Sequence, residues 1–205
     1  FSMDGWRSDN GSAYVSDFLL LIRAENQNQM MDPSTAKDFT TFTDTSDMGP
    51  LFTVSQGGQL QLHNFQIKNA GCDPAACSTT TAPVKAGAIT VESGGWLQVE
   101  SMSFTSCRGQ EGSAIAADGG TSRTIVHINH CDFYSNYVNT GGGAVAVTNG
   151  AQVIVRDPEF SAGAAGSDTT RIAIMGTNAN ITFLTDDGKG VQCQFLPAAF
   201  KDSKR

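Results

Sequence analysis

The chain is poor in charge, and poorest in positive charge. Of 205 residues only 16% are Asp, Glu, Lys or Arg, and 13 Lys and Arg stand against 20 Asp and Glu, for a formal net charge of -7. Nucleic-acid binding depends on clustered Lys and Arg, and the only basic cluster is the closing KDSKR, which reads as a solvated end. Nucleic acid is therefore excluded as a partner, and an isoelectric point near 4.8 agrees. Long apolar runs are also missing. No stretch approaches the roughly 18–20 residues of a membrane helix, so no transmembrane segment is expected. The N-terminal apolar stretch lacks a basic leader and is interrupted by Asp17 and Arg23, which is not the pattern of a signal peptide. A targeting segment is read as absent or already removed.

Turn formers fill the space that charge leaves. Twenty-two Gly and many Ser, Thr and Asn suit a turn-dense β protein better than a helical one, and the length suffices for one domain with a sizeable core. The segment GGAVAVTNGAQVIVRDPEF shows why: Val145 and Val147, then Val153 and Val155, alternate with other residues on either side of Thr148-Asn149-Gly150. Such alternation is the pattern of a half-buried strand.

The pattern recurs, and recurrence at a fixed phase decides the fold. VSQGGQLQLHNFQI aligns with VESGGWLQVESMSF, with one offset for Gly57/Gly94, Leu60/Leu97, Leu62/Val99 and Ile67/Phe104. Later copies keep the apolar landmarks while their lengths vary. Three short strands per copy cannot bury an inward row alone, but stacked copies pair backbone to backbone at about 4.8 Å and make continuous apolar columns. The expectation is all-β: a single right-handed parallel β-helix of about five coils over residues 49–190, between an N-terminal cap or irregular first coil (1–48) and a tail (191–205). Its inward columns would be Val54, Val91, Ala117, Val147, Ile174; Leu62, Val99, Ile128, Val155, Phe183; and Ile67, Phe104, Phe133, Phe160. Gly57, Gly94, Gly120 and Gly150 recur where corners call for positive φ.

Before Gly49 the repeat is lost. Tyr14, Phe18, Leu21 and Ile22 have helical spacing after a candidate N-cap at Ser12, whereas FLLLIRA suits a strand equally well. In either form the segment would cover the open end of a solenoid. It carries more apolar side chains than a small cap requires, so Phe18, Leu19, Leu20, Met30 and Met31 are the candidate contact residues for a partner.

At AGAI (from Ala86), GSAI (from Gly112), GGAV (from Gly142) and FYSN (from Phe133) the chain resembles the GGAI/FxxN-type repeats of right-handed parallel β-helices in the polymorphic outer-membrane protein and pectate-lyase-like superfamily. FTSC at Phe104 places Cys107 where the next copy has Asn136, and FSAG at Phe160 lacks the Asn. The resemblance implies an architecture and no single activity.

Enzymes of that architecture gather carboxylates around calcium, or hold three Asp and a His on one face. The outward columns here, His63-Glu100-Asn129-Arg156, Gln61-Gln98-His127-Ile154 and Ser55-Glu92-Asp118-Thr148, never exceed two acids. HINHCD supplies the only catalytic candidates, His127, His130 and Asp132, for a general-base or metal role. A His-x-x-His on a strand splits its rings between two faces, so no cofactor is expected. A Thr ladder suited to ice is broken as Thr53 and Thr90 give way to Ala116, Ala146 and Ala173.

Cys72 and Cys77, around Pro74, form the candidate disulfide of the longest insertion, and Cys131 reads as a small buried hydrophobe. Sequons at Asn10 and Asn180 join that loop in favouring an extracellular, cell-surface or lumenal location. The function expected is a noncatalytic structural or binding module that docks to a protein partner or larger assembly. A carbohydrate-active lyase or glycoside hydrolase is the alternative, with carbohydrate as its ligand.

Overall fold

The computed structural model describes residues 13–23, 41–43, 49–71, 87–138, 143–161, 172–175, 178–184 and 190–194. They are all-β, with no helix among them. Three sheets take their strands from the chain in rotation. The first contains β1 (Ala13–Ser16), β4 (Phe52–Ser55), β7 (Ile89–Val91), β11 (Gly112–Asp118), β15 (Gly143–Thr148) and β18 (Ile172–Met175) in that order. The second runs β2 (Leu19–Arg23), β5 (Gln59–His63), β8 (Trp96–Glu100), β12 (Ile125–Asn129), β16 (Gln152–Arg156), β19 (Asn180–Leu184) and β20 (Gly190–Gln194). In the third, β3 (Thr41–Thr43), β6 (Gln66–Lys68), β9 (Ser103–Thr105), β13 (Asp132–Tyr134) and β17 (Glu159–Ser161) lie side by side. β10 (Arg108–Gly109) and β14 (Tyr137–Val138) form a small sheet of their own.

Each of the first five passages thus adds one strand to each large sheet, next to the strand from the passage before, and the sixth adds β18 and β19 to the first two. Pairing is parallel throughout the described residues except between β19 and β20, which run antiparallel. The registers reproduce the columns expected from the repeats. Val54, Val91, Ala117, Val147 and Ile174 are successive partners in the first sheet. Leu62, Val99, Ile128, Val155 and Phe183 follow one another in the second, and Ile67, Phe104, Phe133 and Phe160 in the third. Buried residues from all three sheets form one core, in which the Phe104 and Phe133 rings stack with centroids 5.2 Å apart.

The N-terminal segment adds a further row to this pattern. Ala13–Ser16 and Leu19–Arg23 are strands, not helix, and Val15, Ile22 and Phe42 extend the three columns by pairing with Val54, Leu62 and Ile67. Tertiary pairing with an existing strand edge outweighs the helical spacing of the apolar residues. At the other end, β20 places strand structure in the segment expected to be tail.

Corners use two solutions. Gly57, Gly94, Gly120 and Gly150 turn out of the first sheet with φ of 82, 82, 52 and 82°. Out of the second sheet the same backbone sign falls on Asn64, Ser101, His130 and Asp157, with φ of 62, 51, 49 and 44°. A left-handed conformation costs an L-residue about 1–2 kcal/mol. Here the corner backbone stays in the ladder and offsets part of that cost: Asn64, Ser101 and His130 donate N–H bonds of 3.1, 3.0 and 2.9 Å to the carbonyls of Glu100, Asn129 and Arg156 in the adjacent row.

Candidate functional site

Parallel pairing in constant register turns the outward side of the second sheet into a grid. One column runs Leu19, Gln59, Trp96, Ile125, Gln152, Asn180, and the next runs Leu21, Gln61, Gln98, His127, Ile154, Thr182. Neither contains an Asp, Glu, Lys or Arg. Charge is confined to the third column, where Arg23, His63, Glu100, Asn129 and Arg156 are successive neighbours. There the Nδ1 of His63 lies 3.1 Å from Glu100 Oε2, and Gln98 Nε2 donates to the same oxygen at 3.5 Å.

His127 lies at the middle of this grid. Its ring is tilted 46° to the Trp96 indole at 5.8 Å between centroids, and its partial burial lowers its pKa from the ordinary 6.5. Its register neighbours are Gln98 and Ile154, so no carboxylate stands beside it in the column to orient it as a base. His130 occupies the next corner, exposed, with Nδ1 3.5 Å from Asp157 Oδ2. Asp132 begins β13 on the third sheet, in register with Ser103 and Glu159. The three candidates are thus distributed over a sheet face, a corner and a second sheet. Among the described residues no three His, Cys, Asp or Glu side chains are grouped to hold a metal ion.

The apolar end shows a sharper feature. Phe18, Leu19 and Leu21 are 50%, 55% and 54% exposed. Leu20, expected as a contact residue, instead packs with Ile22 against the core, because alternation along β2 turns both inward. Leu21 takes the exposed place. Met30 and Met31 lie outside the described residues, as do Cys72, Cys77 and the sequon at Asn10. Asn180, of the second sequon, begins β19; its Oδ1 is buried and meets no donor among the described residues.

Two further expectations meet definite environments. Cys131 is fully buried; its thiol donates to the Asn129 carbonyl at 3.2 Å, and burial pushes its pKa up to about 12. The Thr53, Thr90, Ala116, Ala146 row, considered for ice, is buried. The contact that sequence reasoning missed is Trp96 with His127, although both residues sit on adjacent outward positions of the aligned repeats. Among the described residues no helix is long and apolar enough to cross a membrane. Comparison with family models, with curated proteins and with solved structures finds no match to this chain.

Proposed function

We propose that the chain is a single right-handed parallel β-helix that acts as a noncatalytic docking module, an extracellular or surface element or a peripheral subunit of a larger assembly, and that its partner is a protein. Rotation of the chain through three sheets around one core supports the coiled architecture. The exposed apolar group of Phe18, Leu19 and Leu21 on the end strand carries the docking reading. Interface centres are enriched in apolar and aromatic side chains and depleted of charge, and the two uncharged columns that continue from Leu19 and Leu21 extend the same composition along the sheet. Because these side chains point away from the core, replacing them leaves the stack intact.

The triple variant Phe18→Ser, Leu19→Gln, Leu21→Gln is expected to keep the melting temperature of the parent chain and to lose the protein that co-purifies with it from its native source. Retention of that protein by the triple variant, with loss on His127→Ala, would move the site to the histidine face. Release of new reducing ends or unsaturated products from acidic or neutral polysaccharides would replace docking with catalysis.

A further inference from the structure

The antiparallel strand β20 breaks the one rule every other described pairing obeys, and its position gives the break a meaning. It lies against β19, the last parallel strand of the second sheet, while β2 is the end strand at the opposite side of the same sheet. The first two strands, β1 and β2, continue the columns that end in β18 and β19. Val15 would follow Ile174 and Ile22 would follow Phe183, apolar residue on apolar residue in the same register. A second copy could therefore add its β1 and β2 to β18 and β19 as the start of one more row, were β20 not in place on β19. Within β2 itself, LLLIR, there is no Lys, Pro or inward charge of the kind that blunts an edge.

We infer that the two ends of the chain are complementary, that the partner fitting each end is a second copy of this chain, and that β20 is the stopper that keeps copies from adding head to tail. The inference rests on the coiled reading above and is independent of the exposed Phe18, Leu19 and Leu21 side chains as a protein-docking patch. Parallel pairing of β2 onto β19 would place Leu21 beside Thr182, and their Cα atoms about 4.8 Å apart.

The backbone chooses the variants. Asn180 donates its N–H to Ala151, so Asn180, Thr182 and Leu184 face β16, whereas Ile181 and Phe183 face β20, opposite Cys193 and Val191. Val191→Pro with Cys193→Pro in the full chain deletes the donors facing β19. On the other end, the Phe18 carbonyl accepts from Gln59 N–H, so Leu20 and Ile22 share that direction and the Leu21 N–H is directed away from β5. Leu21→Pro therefore blocks the edge without cutting the β2–β5 ladder.

Sedimentation velocity of the parent chain should give a single species independent of concentration. The double-proline variant should give a mass that grows with concentration, and Leu21→Pro added to it should return the single species. Parent chain mixed into the double-proline variant should shorten the assemblies in proportion to its share, since each parent copy brings one usable end. A Leu21→Cys, Thr182→Cys pair in the double-proline background should form an intermolecular disulfide that reports the register. A double-proline variant that keeps its β circular dichroism and remains a single species would overturn the inference. So would assemblies that persist with Leu21→Pro or are not shortened by parent chain. If the double variant loses its β signal, Cys193→Pro alone, which deletes one donor, takes its place: growth of mass with concentration supports the stopper, and a single species overturns it.

Discussion

Phe133 is nearly fully buried with its ring stacked on Phe104, while its neighbour Tyr134 is half exposed on the same strand. Truncating a buried Phe costs about 3–5 kcal/mol, and surface changes stay within about 0.5 kcal/mol. Chemical denaturation should therefore separate Phe133→Ala from Tyr134→Ala by most of that difference, and equal small effects would contradict the register. Two titrations belong to the same scale. Cys131 is a neutral thiol in the fold up to about 12, whereas the unfolded chain ionises it near 9.0. Stability should fall as pH rises through that interval, and a thiol reagent at pH 8 should label Cys131 only after denaturant is added. For His127 the sign is opposite. Its pKa is lowered by burial, so the unfolded state takes up a proton first, and acidification below 6.5 should destabilise the fold, an effect that His127→Asn removes. Period-two alternation made the buried positions legible one by one. It was blind to Trp96 against His127, because two outward side chains choose their rotamers from the space between rows, which no single strand encodes.

Single elements are short here and owe their existence to neighbours. The corner at Asn136 shows how. Its Nδ2 donates to the Phe104 carbonyl and its Oδ1 accepts from Cys107 N–H, both at 2.9 Å, so one side chain serves the backbone of the preceding row. Asn136→Ala leaves both groups without that partner, and a cost of about 1–3 kcal/mol is expected in thermal or urea unfolding. The FYSN tetrapeptide made this residue legible. The left-handed corners at Asn64, Ser101, His130 and Asp157 were not, since four residue types share one backbone state and only the glycine corners announce it in sequence. β2 was ambiguous for a related reason: LLLIR has apolar residues on both faces, which satisfies a helix and a strand alike, and only the partner edge of β5 decides. Leu20 and Leu21 exchange their expected places once that edge fixes which face is inward.

Across the whole molecule, the lengths of the connections divide unequally. Between the second and third sheets, in the second through fifth rows, just two residues separate His63 from Gln66, Glu100 from Ser103, Asn129 from Asp132 and Arg156 from Glu159. Between the third sheet and the first the length differs from row to row: β6 ends at Lys68 and β7 begins at Ile89, while β13 ends at Tyr134 and β15 begins at Gly143. A ten-residue Gly/Ser insert after Asp73 should leave the melting temperature within a few degrees of the parent chain. That expectation follows because loop closure costs only about 0.6 kcal/mol for each doubling of length. The same insert between Asn64 and Phe65 would break a corner whose N–H bonds to Glu100, and should lower the melting temperature sharply or prevent folding.

This asymmetry also bears on ancestry. A gene segment copied from one tight corner to the next carries a complete row with its own three strands, and it meets its neighbours through backbone bonds that are indifferent to side-chain identity. Duplication can therefore lengthen such a chain in whole rows, while the wide connections absorb foreign sequence without disturbing inheritance of the stack. Ala117 between Val91 and Val147, in a column that still pairs, is what copied rows would look like after divergence.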